Sequence, residues 1–305
     1  MELSWIRAFV TVAEELHFGR AADRLRIAYS PLSQTIRKLE TELGVELFKR
    51  NTRSVALTAE GQSFLPHARA ALREVELGRQ AVRSHQDEVY GTVTVGYSGA
   101  LNHRTLPLLT QELSRRFPEV ELVLQGSVLT GEAMTALKRG SLDVSFIGLP
   151  ASAKGIERRR VSHEPLGVLL PAEHPLAQQA VIELANLAED RFVTLPLSQG
   201  STLRETVTSA CVAAGFRPLV VQEASDAHTI MSLVAAGIGV SLLPECVSDI
   251  TPAGTVYREL AGAPSFFDAA IAWNPSRTSA ATAALLEVVD AIWPEPEAAA
   301  SHAAT

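Results

Sequence analysis

The sequence predicts a multidomain α/β protein: a small helical head ending in a hairpin, one long helix, and a two-lobed α/β body. Three observations predict it. Apolar residues recur at threes and fours through the first 43 residues, broken twice by turn-like stretches. A longer stripe of the same spacing runs from Phe64 to Val82. From Gly91 onward, strand-like and helix-like segments alternate.

The totals agree with this reading. A chain of 305 residues has room for two or three domains. With 47% hydrophobic and 20% charged residues it suits a soluble globular protein with substantial cores. A net charge of −7 argues against a protein that coats nucleic acid indiscriminately. Residues 1–87, however, carry 13 Lys/Arg against 11 Asp/Glu, and the remainder 14 against 23. A mildly basic head on an acidic body fits a local contact with a polyanion. Cys211 and Cys246 are too few for a disulfide framework and have no zinc spacing. No basic segment leads into an apolar run at the N-terminus, and no stretch approaches the ~20 apolar residues needed to span a bilayer. The expectation is a cytoplasmic protein with no metal and no cofactor.

In chain order, Leu3, Ile6, Phe9, Val10, Ala13 and Leu16 make a helical stripe that stops at His17-Phe18-Gly19. A short helix follows over 20–25, and Ile27-Ala28-Tyr29 turns the chain into a third. There Leu32, Ile36, Leu39 and Leu43 form one buried face. Ser30 is the expected N-cap, Pro31 sits where its missing N–H costs nothing, and Gly44 ends the helix. The opposite faces carry Ser33, Gln34 and Arg37, able to hydrogen-bond base edges and phosphates in a major groove. Helix, short turn, helix is a helix-turn-helix arrangement. Residues 45–48 and 55–57 read as strands around Lys49-Arg50-Asn51-Thr52-Arg53, a basic-tipped wing suited to phosphate or the minor groove. Taken singly, an apolar helix pair is ordinary core and three cations in a turn an ordinary solvated tip; their order and closeness make the DNA reading.

Thr58 caps the long helix, whose stripe of Phe64, Leu65, Ala68, Leu72, Val75, Gly78 and Val82 predicts a partner helix from a second subunit, hence a dimer. Beyond Gly91, strands are expected at 92–97, 120–125, 143–147, 166–170, 192–195, 219–222, 239–243 and 267–273. Helices are expected at 100–117, 132–139, 201–214, 227–236 and 279–292. Their alternation predicts parallel sheet in two lobes with a crevice between them. The boundaries that follow are 1–58 for the head, 59–90 for the linker helix and 91–293 for the body. Within the body, one lobe spans about 91–162 and 267–293 and the other about 163–266; the Pro/Glu/Ala-rich tail 294–305 is expected to be disordered.

Phe9-Val10-Thr11-Val12-Ala13-Glu14, Gly19-Arg20-Ala21-Ala22-Asp23-Arg24-Leu25, residues 32–40, Leu43-Gly44-Val45-Glu46-Leu47-Phe48-Lys49-Arg50 and Leu57-Thr58-Ala59-Glu60-Gly61 together resemble a LysR-type transcriptional regulator. Leu142-Asp143-Val144-Ser145-Phe146 and residues 233–244 resemble that family's effector-binding domain. The likeness runs from Met1 to about Pro294. It implies a winged helix-turn-helix, a linker helix and a domain similar to type-2 periplasmic binding proteins. It further implies a dimer of dimers on a dyad-symmetric promoter site, response to a small metabolite, and RNA polymerase as a further partner. Tyr29, Ser30, Pro31, Ser33, Gln34 and Arg37 are then expected at the groove, with Arg50 and Arg53 on phosphate or in the minor groove. Relatives commonly carry a Gln-Pro-Ala-like run where this chain has Tyr29-Ser30-Pro31, and often Arg where it has Gln34.

In the body, Ser98 with Gly99, Thr130, and Ser198 with Ser201 and Thr202 stand at helix starts facing the crevice, with Ile147 on a strand end. N-terminal N–H groups and hydroxyls suit a carboxylate, although the same hydroxyls can simply cap their own helices. Ser98 and Thr130 match effector-contacting positions of the family's aromatic-catabolism branch. Muconate-responsive members tend to have Arg where this chain has Gly148; without that guanidinium a monocarboxylate or phenol is favoured over a dicarboxylate. Two other readings compete with this one. Gly96-Tyr97-Ser98-Gly99-Ala100 is similar to a nucleophile elbow, and a hydrolase could draw on Asp143 or Asp226 with His163 or His228. An exported solute-binding protein would explain the body but not the basic head.

Overall fold

The computed structural model describes residues 1–50, 55–83, 89–99, 102–197 and 200–294, without the side chains of residues 50, 76, 77 and 80–83. The chain forms two units, Met1–His85 and Gln86–Thr305. Arg53, Ser198 and the tail from residue 295 lie outside the described residues, as do residues 84–88 of the linker segment.

The first unit packs α1 (Leu3–Glu15), α2 (Phe18–Leu25) and α3 (Tyr29–Leu43) around a common core. Leu32, Ile36 and Leu39 are fully buried, as their spacing requires, each contributing about 1.5–3 kcal/mol of transfer free energy. Phe9 lies between Phe48 and Phe64, with ring centroids 5.4 and 5.1 Å away. Two helix starts differ from expectation. α2 begins at Phe18 instead of residue 20, because the His17 ring Nδ1 accepts from Arg20 N and caps the helix. α3 begins at Tyr29, with Ala28 at the N-cap and no side-chain cap. Ser30 therefore does not cap it; Ser30 and Pro31 lie inside the first turn, where Pro31 still has no intrahelical carbonyl to miss. Gly44 closes the helix at φ 71°, as expected.

The wing pairs β1 (Phe48–Arg50) with β2 (Val55–Leu57), Phe48 opposite Leu57. The first strand starts later than the expected 45–48. A Glu40 carboxylate oxygen accepts from Leu47 N at 3.0 Å and Phe48 N at 3.2 Å, so a side chain takes backbone donors that a strand would have supplied. α4 (Ala59–Arg83) starts where the sequence placed it, Thr58 Oγ1 accepting from Gly61 N at 2.9 Å. Its stripe divides: Phe64, Leu65, Ala68 and Leu72 pack into the head's own core, whereas Val75 is 38% exposed. Half of the stripe thus has a partner within its own chain.

Gly61 is the tightest point of this unit. A Cβ there would lie 2.2 Å from the Leu47 carbonyl oxygen and 2.9 Å from Leu57 Cδ2. Gly61→Ala is therefore expected to destabilise the head by roughly 1–3 kcal/mol through overpacking, read as a lower urea midpoint; an unchanged midpoint would contradict this packing.

The second unit holds β3 (Gly91–Gly96), α5 (Asn102–Arg116), β4 (Val120–Gln125), α6 (Thr130–Arg139) and β5 (Val144–Leu149). It continues with β6 (Glu157–Pro171), β7 (Val181–Ile182), β8 (Arg191–Thr194), α7 (Thr202–Ala213) and β9 (Leu219–Glu223). The remainder is α8 (Ala227–Ala235), β10 (Ser241–Pro244), β11 (Thr255–Leu260), β12 (Phe266–Trp273) and α9 (Ala280–Ile292). Caps at Ser201, Asp226 and Ser279 each accept from the backbone N–H three residues on.

The sheet is mixed, which corrects the expectation of a parallel one. β3, β4 and β5 are parallel, but β12 is antiparallel to both β5 and β6, and β6 is antiparallel to β10 and β11. The hydrogen-bonded order runs β4-β3-β5-β12-β6-β11-β7. β6 joins the lobes: Pro165 still pairs with Phe266 on β12, and Leu166 already pairs with Pro244 on β10. Its first half and all of β7 and β11 were not anticipated from sequence. Among the described residues no helix is long and apolar enough to cross a membrane.

Candidate nucleic-acid interface and candidate ligand cavity

In the head, the face of α3 opposite its buried stripe carries Ser30, Gln34 and Arg37, spaced four and three apart and all exposed. Pro31 is exposed beside them. Tyr29 is 59% exposed, its ring resting on Phe18 at 5.9 Å between centroids. Ser33 is half-buried. Thr35 and Thr41, by contrast, donate to the carbonyls of Pro31 and Arg37 and so serve the helix itself. Charge pairing separates the cations. Arg20 and Arg24 are held by Glu14 and Glu15, whereas Arg37 and the exposed Lys38 have no ion pair among the described residues. Lys38 was not singled out from sequence; its place beside Arg37 was the available signal. Arg50 lies on the wing strand, its side chain outside the described residues, as is all of Arg53.

In the second unit, one cavity with roughly 610 Å³ of empty space, counting its open mouth, is lined from both lobes. Ser98 and Gly99 follow β3, Thr130 opens α6, and Ile147 lies on β5. From the other lobe come Ser201 and Thr202 at the start of α7. Six of the seven residues expected in the crevice therefore share one cavity; the seventh, Ser198, lies outside the described residues. The strand ends and helix starts of both lobes meet there, as the topology of open α/β sheets dictates.

Thr130 is the hub. Its hydroxyl accepts from Gly148 N and from the Thr202 hydroxyl, each at 3.0 Å, and Thr202 also approaches the Gly148 carbonyl at 3.2 Å. One lobe is thus tied to the other through two hydroxyls and one peptide. No side chain caps α6, which leaves its first N–H groups without a side-chain acceptor at the end of the helix where Leu129 and Thr130 line the cavity. Ser201 Oγ accepts from Arg204 N, which uses one of its lone pairs locally and leaves its O–H able to donate to a ligand. Gly148 also gains a reason. A Cβ there would stand 2.8 Å from Thr202 Oγ1 and 2.9 Å from the Phe267 ring, so no larger residue fits without moving them.

Sequence reasoning missed Asn102, Val161 and Phe267 in this wall. Val161 is the extra residue of a bulge, since Ser162 pairs with Ala269 and Arg160 with Ala270. A bulge re-aims one side chain, and nothing in the sequence marks it. Asn102 is 7% exposed; its Nδ2 donates to Gly99 O at 2.8 Å, while its Oδ1 has no partner among the described residues, nor has Ser98 Oγ. An orphaned buried polar atom costs about 1–3 kcal/mol, and two of them in one cavity mark a site completed by something else. Among the described residues lining the cavity none is charged. Beside it, Arg104 of α5 donates to Asp249 at 2.8 Å and lies 3.7 Å from Glu164, joining α5 to the turn at Glu245–Ile250. The guanidinium holds the Asp249 carboxyl below its ordinary range.

The hydrolase reading loses its geometry. His163 pairs with Asp268 at 2.7 Å, Asp226 caps α8, Asp143 accepts from Thr94 N, and neither His163 nor His228 lines the cavity holding Ser98. The thiols are inert too. Burial pushes Cys211 up to about 11 and Cys246 up to about 12, so both stay protonated at neutral pH. Among the described residues no group of His, Cys, Asp and Glu could hold a metal ion.

Comparison with known proteins agrees with this division. Residues 3–62 match the family described as bacterial regulatory helix-turn-helix protein, lysR family, and residues 86–293 match the LysR substrate binding domain. The chain is 43% identical to the HTH-type transcriptional regulator ShiR of Corynebacterium glutamicum over 94% of its own length and 98% of that protein's. It is 29% identical to a full-length OxyR variant of Pseudomonas aeruginosa, with a TM-score of 0.68 over 96% of this chain and 94% of the other. CbnR, at 24% identity, shares the fold with a TM-score of 0.76 over 96% of this chain and 99% of the other. The chain belongs to the LysR family: it is a LysR-type transcriptional regulator, with a helix-turn-helix head that binds DNA and a two-lobed body that binds an effector.

Proposed function

We propose that two copies of the head read the halves of a dyad-symmetric promoter site through α3, and that a small ring monocarboxylate in the inter-lobe cavity modulates the reading. The observation that carries this is the exposed stripe of Ser30, Gln34 and Arg37, polar, without an ion pair, and backed by a fully buried face. Gln34 and Arg37 hydrogen-bond base edges, Tyr29, Ser30, Pro31 and Ser33 lie at the groove rim, and Arg50 and Arg53 grip phosphate or the minor groove. The second half of α4, from Val75 onward, pairs the subunits, and the dimers associate as a tetramer. On this reading the functional segments are 1–58, 59–90 and 91–293, the protein works in the cytoplasm where the promoter is, and RNA polymerase is the partner that its DNA complex addresses.

The cavity's chemistry supports the effector class. Uncharged walls and uncapped N–H groups stabilise one negative charge but give a second no counter-ion. This chemistry is in keeping with the family's aromatic-catabolism branch, short of its dicarboxylate responders, since Gly148 supplies no anchor for a second carboxylate.

Footprinting the purified protein on the DNA upstream of its own gene tests the reading. Two protected half-sites on one face, spaced by about 10–10.5 base pairs or a multiple, are expected. Protection that is absent, or equal on any duplex, would overturn it.

A further inference from the structure

We infer that the effector carries a hydroxyl on its ring as well as its carboxylate, and that Asn102 Oδ1 selects for it. The inference rests on the reading of the inter-lobe cavity as the effector site and deepens it. A carboxylate satisfies donors only: the Ser98, Thr130 and Ser201 hydroxyls and the N–H groups of α6. It offers nothing to an acceptor. Asn102 lines the cavity and is nine-tenths buried, and its Oδ1 is an acceptor without a donor among the described residues. The amide cannot turn over to change this, because its Nδ2 is held by the Gly99 carbonyl at 2.8 Å. A ligand that fills the cavity with a bare ring leaves Oδ1 buried and unpaired; one that presents an O–H completes it. An ammonium would also donate, but no carboxylate lines the cavity to neutralise it. The apolar remainder, including Val128, Phe146, Val161 and Phe267, suits the faces of a flat ring. Sites built to hydrogen-bond a hydroxyl discriminate strongly against analogues that lack it.

The test is calorimetric titration of the full-length protein with benzoate, the three monohydroxybenzoates and the three monofluorobenzoates. Fluorine is close to hydroxyl in size and has no proton to give. At least one hydroxybenzoate is expected to bind at least ~10-fold tighter than benzoate and than the fluoro compound of the same substitution. Asn102→Ala, checked for fold by circular dichroism, is expected to erase that preference, so that the hydroxy, fluoro and unsubstituted compounds bind that variant with similar affinity; the ligand series on the unmodified protein stands even if the variant does not fold. Equal affinity for benzoate, fluoro and hydroxy compounds, or a preference that survives Asn102→Ala, overturns the role of Asn102 and leaves the ring-carboxylate reading intact. Binding of none of the seven overturns that reading, and this inference with it.

Discussion

Replacing Arg37 with Ala is expected to lower affinity for the promoter site by about 1–3 kcal/mol while leaving affinity for random duplex within a few-fold. Gln34→Ala should behave likewise. Both side chains project from a helix whose other face is locked in the core by Leu32, Ile36 and Leu39, so truncation removes the contact without moving the scaffold. The two substitutions should also change which base is tolerated, each at its own position. A Gln amide pairs with adenine in two places and an Arg fork with guanine, so Gln34→Arg should shift preference toward guanine at one position of each half-site. Competition binding against a set of single-base variants reads this out. Equal losses on specific and random DNA would assign both residues to phosphate instead.

Thr130→Val should shift the effector response to higher ligand concentration and leave unliganded DNA affinity as it was. The substitution keeps the shape of the side chain but removes the oxygen that accepts from Gly148 N and Thr202. Gly148 N then loses its partner and Thr202 keeps only the Gly148 carbonyl at 3.2 Å, and ligand affinity should fall by about 1–3 kcal/mol, or roughly 5- to 150-fold. Because Thr202 belongs to the same network, Thr202→Val on top of Thr130→Val should cost much less than it does alone. Additive losses would mean that the two hydroxyls act independently, and an unaltered response in Thr130→Val would remove that residue from the effector site.

Much of this architecture is legible in the sequence because the decisive signals are local. α3 is bounded by a spacing of apolar residues and by Gly44, and Thr58, Ser201, Asp226 and Ser279 announce helix starts through side chains that reach a backbone N–H three residues away. The crevice residues were found for the same reason: hydroxyls at strand-to-helix junctions are visible one junction at a time. What was illegible depends on distant partners. Arg158, Arg159 and Arg160 carry no local strand signal, yet they lie in the half of β6 that pairs with β12 from the far end of the chain. The direction of β12 is invisible too, since nothing local distinguishes an antiparallel return from another parallel crossover. Ser30 misled because a Ser before Pro has the look of a cap, whereas Ala28 takes that place with backbone alone. Asn102 escaped notice because its importance lies in a bond it fails to make, which only packing reveals.

The most direct test of the account is a competition measurement of the purified protein on its footprinted site against random duplex, repeated across a salt series. The account predicts a specificity ratio of at least about 10³ at physiological salt, a steep fall of both affinities with salt, and collapse of the ratio in the Gln34→Ala, Arg37→Ala double variant. A ratio near one in the unmodified protein, or one that the double variant retains, would contradict it.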